Sequence, residues 1–434
     1  MQEVYCDVFA VNSDLFSLNI PSTVCLTAQQ SLWTSYEETI LNRIVDGLFA
    51  TALSLRLHPF VRYSRASPLC FKIATLIQAK IDDEHILFEQ LGSSSSIILL
   101  MDRREDLVTP LLNQWTYQAM CHELVGLDNN RMDIPSSSLV MSSGQDFFFG
   151  KNLTSNFGDL ALNIEKLLKQ FQEQTKSNSA TKLNSIEAMQ QFIDAYPEFK
   201  KLSGNVSKHV GVVHELSRIV SASNLITLSA LEQEIACEEN NRMDQLKRVL
   251  FAHLDSGNTQ LEKLRLALLY SLKYPSDGSG ISQLTESLKQ LGIDASQIQL
   301  IDLLAQYRIA VPAAGGSKTV MSLIKKAAGL GGIENVYTQH KSELHAVVES
   351  LVRGRMKDAM YPFVESKRRA VIEGKVPQAI VFVVGGTTYE EARDVRNLNN
   401  GGAQIVLGGT TIHNSKSFLA DVAQLRRIRT GVNE

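Results

Sequence analysis

Ile97 to Met101 (IILLM) is an unbroken apolar run, short and β-branched at its start, and Ala379 to Val384 (AIVFVV) is a second. A strand with one wet face alternates apolar and polar residues, whereas a run with no polar position reads as a parallel strand covered on both faces. Gln404 to Leu407 reads as a third strand. Helical patterns follow each of them. Beyond Met101 comes a charged turn, Asp102 to Asp106, then Thr109-Pro110 as an N-cap with proline at the first helical position. Leu111, Trp115 and Ala119 share a face of that helix, and Gly126 is its stop. Tyr389 to Asn397 and Ser415 to Leu425 are the helices after the other two strands. Strand, turn and helix in repeated succession predict an α/β fold, a parallel sheet between helical layers.

The same reading extends upstream. Ile40, Leu41, Ile44, Val45, Leu48, Phe49 and Ala52 form one wide helical face that ends before His58-Pro59. Ser67-Pro68 opens another helix, with Ile73, Ile77 and Ile81 as its buried stripe. Beyond about Leu127 the pattern is helix after helix, with stripes at Leu160, Ile164, Leu167, Phe171 and at Leu202, Val206, Val210, Val213. Gln172 to Ser185 and Pro275 to Gly280 are polar joints, read as loops. A discontinuous domain is therefore predicted, residues 21–128 and 375–434, interrupted by a mostly helical insert at 129–374.

Composition excludes several functions. Lys and Arg number 43 against 46 Asp and Glu, which gives no electrostatic case for nucleic acid. The five cysteines, Cys6, Cys25, Cys70, Cys121 and Cys237, are far apart and form no CxxC pair, so neither a disulfide framework nor a zinc site is expected, and reducing cytosol is. No apolar run approaches the roughly 18 residues that cross a bilayer. Membrane contact is expected only peripherally, through a partner.

Two strand ends share a signature, Gly385-Gly386-Thr387-Thr388 and Gly408-Gly409-Thr410-Thr411. Glycines ahead of a helix can admit a phosphate, which leaves a nucleotide- or phosphosugar-binding enzyme as the alternative reading. Against it, G-x-G-x-x-G is absent, and glycine followed by threonine equally makes a tight turn and an N-cap. Gly315 to Thr319 departs from a P-loop, with Pro312 and Ser317 where glycines are needed. Asp102 to Asp106 reads as a solvated turn or as carboxylates on a helix dipole. His209 and His214, like His340 and His345, are five apart and off a shared helical face. No catalytic residue, cofactor or metal is expected.

The segment LLMDRREDLVTPLLNQWTYQAMCHELVGL, residues 99–127, closely resembles the second domain of the Sec/Munc (SM) family of SNARE regulators. Further likenesses follow in family order: YPEFKKLSGNVSKHVGVVHELSRIV (196–220), LEQEIAC (231–237), GIENVYTQHKSELHAVVESLVRGR (332–355), IVFVVGGTTYEEARDVRNLN (380–399) and IVLGGTTIHNSKSFL (405–419). The NVYTQH block and paired GGTT turns are similar to the member serving traffic between the trans-Golgi network and endosomes. The resemblance implies a monomeric arch that binds a syntaxin-type SNARE and the assembled SNARE complex, guiding assembly with no bond made or broken. It also implies a SNARE-contacting helical hairpin around 303–345, with Asn335, Tyr337, Gln339 and His340 as contact residues.

Residues 2–20 (QEVYCDVFAVNSDLFSLNI) resemble the end of the family's first domain, so residues 1–20 are expected to be a remnant of it. On that expectation the strand at Val4 to Val11 has lost its sheet and is disordered or paired elsewhere.

Overall fold

A computed structural model describes residues 8–89, 96–135, 137–180, 186–237, 259–309, 339–364 and 378–426. Its first stretch holds β1 (Phe9–Asn12), β2 (Leu15–Ser17), α1 (Ser35–Ser54), β3 (Pro59–Tyr63), α2 (Pro68–Asp83), α3 (His85–Glu89) and β4 (Ser96–Asp102). Then come α4 (Tyr117–Met120), β5 (Arg131–Ile134), β6 (Ser137–Val140), α5 (Phe147–Asn152), α6 (Phe157–Ala180), α7 (Ile186–Ala222) and α8 (Leu225–Cys237). The remainder holds α9 (Gln260–Lys273), α10 (Gly278–Gln290), α11 (Ala295–Ile298), α12 (Leu300–Tyr307), α13 (Glu343–Val352), β7 (Gln378–Val384), α14 (Tyr389–Asn400), β8 (Gln404–Gly409) and α15 (Ser415–Ala423). Packing divides the chain into two compact units, Met1–Leu112 with Thr227–Glu434, and Asn113–Ile226.

The first unit is built on a six-stranded sheet of order β1-β2-β8-β7-β4-β3. All seven residues of β4 are buried, as unbroken apolarity requires of a central strand. β4 pairs in parallel with β7 along its whole length, from Ser96 with Gln378 to Asp102 with Val384. Ile44, Leu48, Ile73 and Ile77 of α1 and α2 are fully buried in the core beneath the sheet, each contributing roughly 1.5–3 kcal/mol. The caps are those the sequence predicts for α2: Ser67 accepts the Cys70 N–H at 3.1 Å and Pro68 opens the helix. At the β3 edge, residues 360–364 cover the strand, with Tyr63 N–H donating to Pro362 and Val364 N–H to Val61. Such cover protects an otherwise adhesive edge.

The opposite edge corrects an expectation. Of the Val4 to Val11 strand, residues 4–7 lie outside the described residues, and the rest is ordered: Phe9–Asn12 forms an antiparallel hairpin with β2, and β2 runs parallel beside β8. Phe16 explains why the hairpin holds, because its ring lies across Gly408 and stacks on Phe382 at 6.0 Å. A Cβ on Gly408 would sit 2.1 Å from Phe16 Cζ. Gly408→Ala is expected to cost about 1–2 kcal/mol through overpacking. A urea midpoint equal to that of the parent would mean that Phe16 moves aside freely.

Three local expectations are also corrected. Thr109-Pro110 starts only a single 3₁₀ turn, Thr109–Leu111, and helix resumes at Tyr117 before a wider turn ends at Gly126, φ 104°. The interruption is tertiary: residues 115–118 hydrogen-bond to 153–157, through Tyr117 N–H to Ser155 and Phe157 N–H to Trp115. Residues 172–180 are helix, not loop, since α6 continues to Ala180. Gln, Glu and Lys lack the apolar content of a core but are good helix formers. On α7 the buried stripe is Val206, His209, Val212, Leu216 and Val220, whereas Val210 is exposed. His209 turns the face, because its ring bonds Asp146 at 2.9 Å and the Tyr117 hydroxyl at 2.8 Å.

Candidate partner-binding site

Open α/β sheets that bind small ligands do so in the crevice at the carboxyl ends of the strands. Here that end is filled by protein. Gly385 and Gly386 both take φ of 93°, and the positions a Cβ would occupy lie 2.7 Å from Arg103 Cβ and 2.4 Å from the His413 ring. The two GGTT turns bind each other: Thr387 N–H donates to Thr411, His413 N–H to Thr387, and Gly385 N–H to the Thr410 hydroxyl. Thr388 caps α14 in a capping box, and the Glu391 carboxylate accepts the Thr388 N–H at 2.9 Å. A carboxylate therefore stands where a phosphate would have to enter. In the second turn the cap is Asn414, three residues beyond the threonine the sequence suggests.

The turn from Asp102 to Asp106 is not solvated, contrary to expectation: Asp102 is 4% exposed, Arg103 2% and Asp106 6%. Arg103 Nη1 donates to both oxygens of Glu391, at 2.8 and 2.9 Å, and Nε donates to the Asp106 carbonyl. Arg104 forks onto Asp102, which also accepts the Ser67 hydroxyl at 2.6 Å. Asp106 accepts N–H groups from Val108, Thr109 and Glu343 and the Thr109 hydroxyl. Burial works against every charge in the cluster, but Glu391 and Asp106 outweigh it and keep the Arg103 pKa above its ordinary value. Arg103, followed by His340, likewise holds the Asp106 carboxyl below its usual range against its burial. At Glu105 burial prevails over the Ser64 hydrogen bond and the neighbouring Arg103 and Arg104, and pushes the carboxyl up to about 7. The sequence shows the five charged residues but not Glu391, which lies 288 positions away and brings them indoors.

Of the four residues expected to touch a partner, Asn335 and Tyr337 lie outside the described residues, as do most of 303–345 and all of Gly315 to Thr319. Gln339 is exposed. His340 is half-buried: its N–H donates to Gln233 at 2.7 Å, and Nε2 lies 3.1 Å from the Thr109 hydroxyl. Burial lowers its pKa, against the opposing pull of Asp106 and Asp394. No cluster of His, Cys, Asp or Glu able to hold a metal is present among the described residues. Nor is any described helix long and apolar enough to cross a membrane.

A mostly parallel sheet with one antiparallel edge hairpin, packed against helices, makes the sheet-bearing unit an α/β fold. The chain belongs to the Sec1 family, whose model matches residues 1–421. It is 38% identical over 439 residues to vacuolar protein sorting-associated protein 45 of Dictyostelium discoideum, covering 98% of this chain and 76% of that one. To the human protein of that name it is 39% identical over 440 residues, covering 97% and 75%. Among solved structures, the SM protein Vps45 in complex with the Qa SNARE Tlg2 (1-310) matches with a TM-score of 0.83 and 38% identity, over 99% of this chain and 77% of that one. The Unc18-syntaxin 1 complex from Monosiga brevicollis, at 19% identity and TM-score 0.74 over 95% and 75% of the two chains, shares the fold.

Proposed function

We propose that this protein is a non-enzymatic regulator of vesicle docking and fusion that binds a syntaxin-type Qa SNARE and guides SNARE complex assembly in transport from the trans-Golgi network to endosome or vacuole. The observation that carries it is the near full-length likeness to a Vps45 solved with the Qa SNARE Tlg2. Filled strand ends and interlocked glycine turns agree, since they leave the carboxyl end of the sheet to protein side chains. Recognition is of the helix-in-groove kind, with amide and apolar side chains meeting an amphipathic partner helix. Asn335, Tyr337, Gln339 and His340 are the proposed contacts. Gln339 faces outward, whereas the His340 ring and N–H already have partners within the chain. The protein acts as a monomer at Golgi and endosomal membranes, held there by SNAREs.

Calorimetry with the cytosolic part of a Tlg2-type Qa SNARE, and with an assembled SNARE bundle, tests the reading. Binding of at least one at about 1 μM or tighter, some 8 kcal/mol, is expected. Failure to bind either, with heat released on addition of ATP, GTP or NAD instead, would overturn it in favour of a nucleotide-binding enzyme.

A further inference from the structure

Asn400-Gly401 is the only asparagine followed by glycine in the 434 residues. At such a pair the backbone nitrogen that can attack the side-chain amide belongs to a residue with no side chain to crowd the approach. The fold leaves this pair accessible. Asn400 is the last residue of α14, and Asn400, Gly401 and Gly402 are all exposed. The Gly401 N–H donates to the Leu398 carbonyl at 3.0 Å, but the same carbonyl also accepts the Ala403 N–H at 3.4 Å, so it stays bonded when Gly401 lets go. Release of one amide at an exposed helix end needs little free energy. No described residue hydrogen-bonds the Asn400 side chain, whereas its neighbours in kind are held. Asn399 donates to the Ile405 carbonyl and accepts the Ile405 N–H, both at 2.8 Å, and Asn414 accepts the Ser417 N–H at 2.8 Å.

We propose that Asn400 is a site of spontaneous deamidation in the folded protein, and that the carboxylate it yields draws Arg396 away from Asp14 and loosens the β1–β2 hairpin. A base takes the proton from the Gly401 nitrogen, that nitrogen bonds to Asn400 Cγ, and the side-chain nitrogen leaves as ammonia with a proton from water. Water then opens the succinimide ring at either carbonyl, giving aspartate or isoaspartate. One water is consumed and one ammonia released, with no oxidant or reductant. In the parent, Arg396 forks onto Asp14 of the turn between β1 and β2, Nε to Oδ2 at 2.8 Å and Nη2 to Oδ1 at 2.5 Å. Asn400 lies four residues beyond Arg396, the spacing at which helical side chains meet, and it lines the same cleft as Arg396 and Asp14. A carboxylate at that position is a second acceptor for the same guanidinium. It also sets a negative charge at the carboxyl end of α14, where the helix dipole disfavours it, beside the Asn399 bonds that hold the start of β8.

The test incubates the full chain at neutral and at mildly alkaline pH and maps its peptides by mass spectrometry, with isoaspartate separated from aspartate by chromatography. Conversion at Asn400 is expected to run at least about ten-fold faster than at Asn12 or Asn414, each followed by serine, and to rise with pH. Gly401→Ala should slow it about ten-fold with an unchanged circular dichroism spectrum, since φ of −81° at that position suits any residue. Asn400→Asp installs one product directly, and amides of β1 and β2 should then exchange about two- to three-fold faster than in the parent. Asn400→Gln keeps an amide but not the five-membered ring geometry; it should neither convert nor alter that exchange. Equal rates at the three asparagines, or a rate indifferent to Gly401→Ala, would overturn the site. Unchanged hairpin exchange in Asn400→Asp would overturn the loosening. Should Gly401→Ala not fold, the comparison with Asn12 and Asn414 decides the site alone.

Discussion

Replacing Arg103 with methionine is expected to lower the stability of the sheet-bearing unit by about 3–5 kcal/mol, the cost of leaving buried carboxylates without their counter-ion. The side chain is 2% exposed in a packed interior, so its loss strips Glu391 and Asp106 of donors where solvent has little room to enter. Glu391 also caps the start of α14, accepting the Thr388 N–H and two threonine hydroxyls, so it cannot swing out to solvent without uncapping that helix. The partner substitution Glu391→Gln retains a capping oxygen but removes the charge. Combined with Arg103→Met it should therefore cost less than the two single changes added together, with a coupling of about 1–3 kcal/mol. Urea denaturation followed by circular dichroism measures all three. A loss below about 1 kcal/mol for Arg103→Met would show that the pair is no more than a surface-type bridge.

That cluster also marks how far the sequence could be read. The apolar runs of β4 and β7 announce their burial without help, because continuous apolarity over five and six positions has few other uses in a strand. Ser67-Pro68 announces the start of α2 in the same way, since cap and proline act within one turn of chain. What could not be read is whatever depends on distant partners. The charged turn looks wet until Glu391 arrives from α14, and the Thr109 helix looks continuous until residues 153–157 take its backbone. His209 reads as a polar interruption of an apolar stripe, yet it is the centre of the buried face of α7 once Asp146 and Tyr117 supply its bonds. The paired GGTT turns were legible as turns but not as a mutual lock. The contacts proposed at Asn335, Tyr337, Gln339 and His340 were reached through family resemblance alone, for amide side chains carry no periodic signal of their own.

Sealing the carboxyl end of the sheet has a consequence for how the molecule works. In a ligand-binding α/β protein that end is kept open by loops, and its charges wait for substrate. In this chain the charges of the Asp102 to Asp106 turn are spent on one another, on Glu391 and on backbone N–H groups. The function proposed above accordingly rests on surfaces and not on that crevice, the mode expected for recognition of a helical partner.

One charge in this region is not so well provided for, and removing it should stabilise the protein. Asp421 of α15 is 4% exposed, its Oδ1 has no partner among the described residues, and its nearest cation candidate, His413 Nε2, is 3.8 Å away. Burial raises its pKa from 3.8 to about 6, against a single compensating bond from Ser22. An acid whose folded pKa exceeds its unfolded one binds more protons when folded between the two values, so stability falls as pH rises through that window. Below pH 3.8 the group is protonated in both states and has no effect; above about 6 the full penalty of the ionised form is present. Asp421→Asn carries no proton and escapes the penalty. The variant is therefore expected to be more stable than the parent by about 1–3 kcal/mol at pH 8, with the advantage shrinking towards zero as pH falls to 4. Parallel urea titrations of the two proteins at pH 4, 5, 6, 7 and 8 measure the difference directly. An advantage that is constant across that range would place its origin in packing or in the new amide hydrogen bonds, and not in the buried charge.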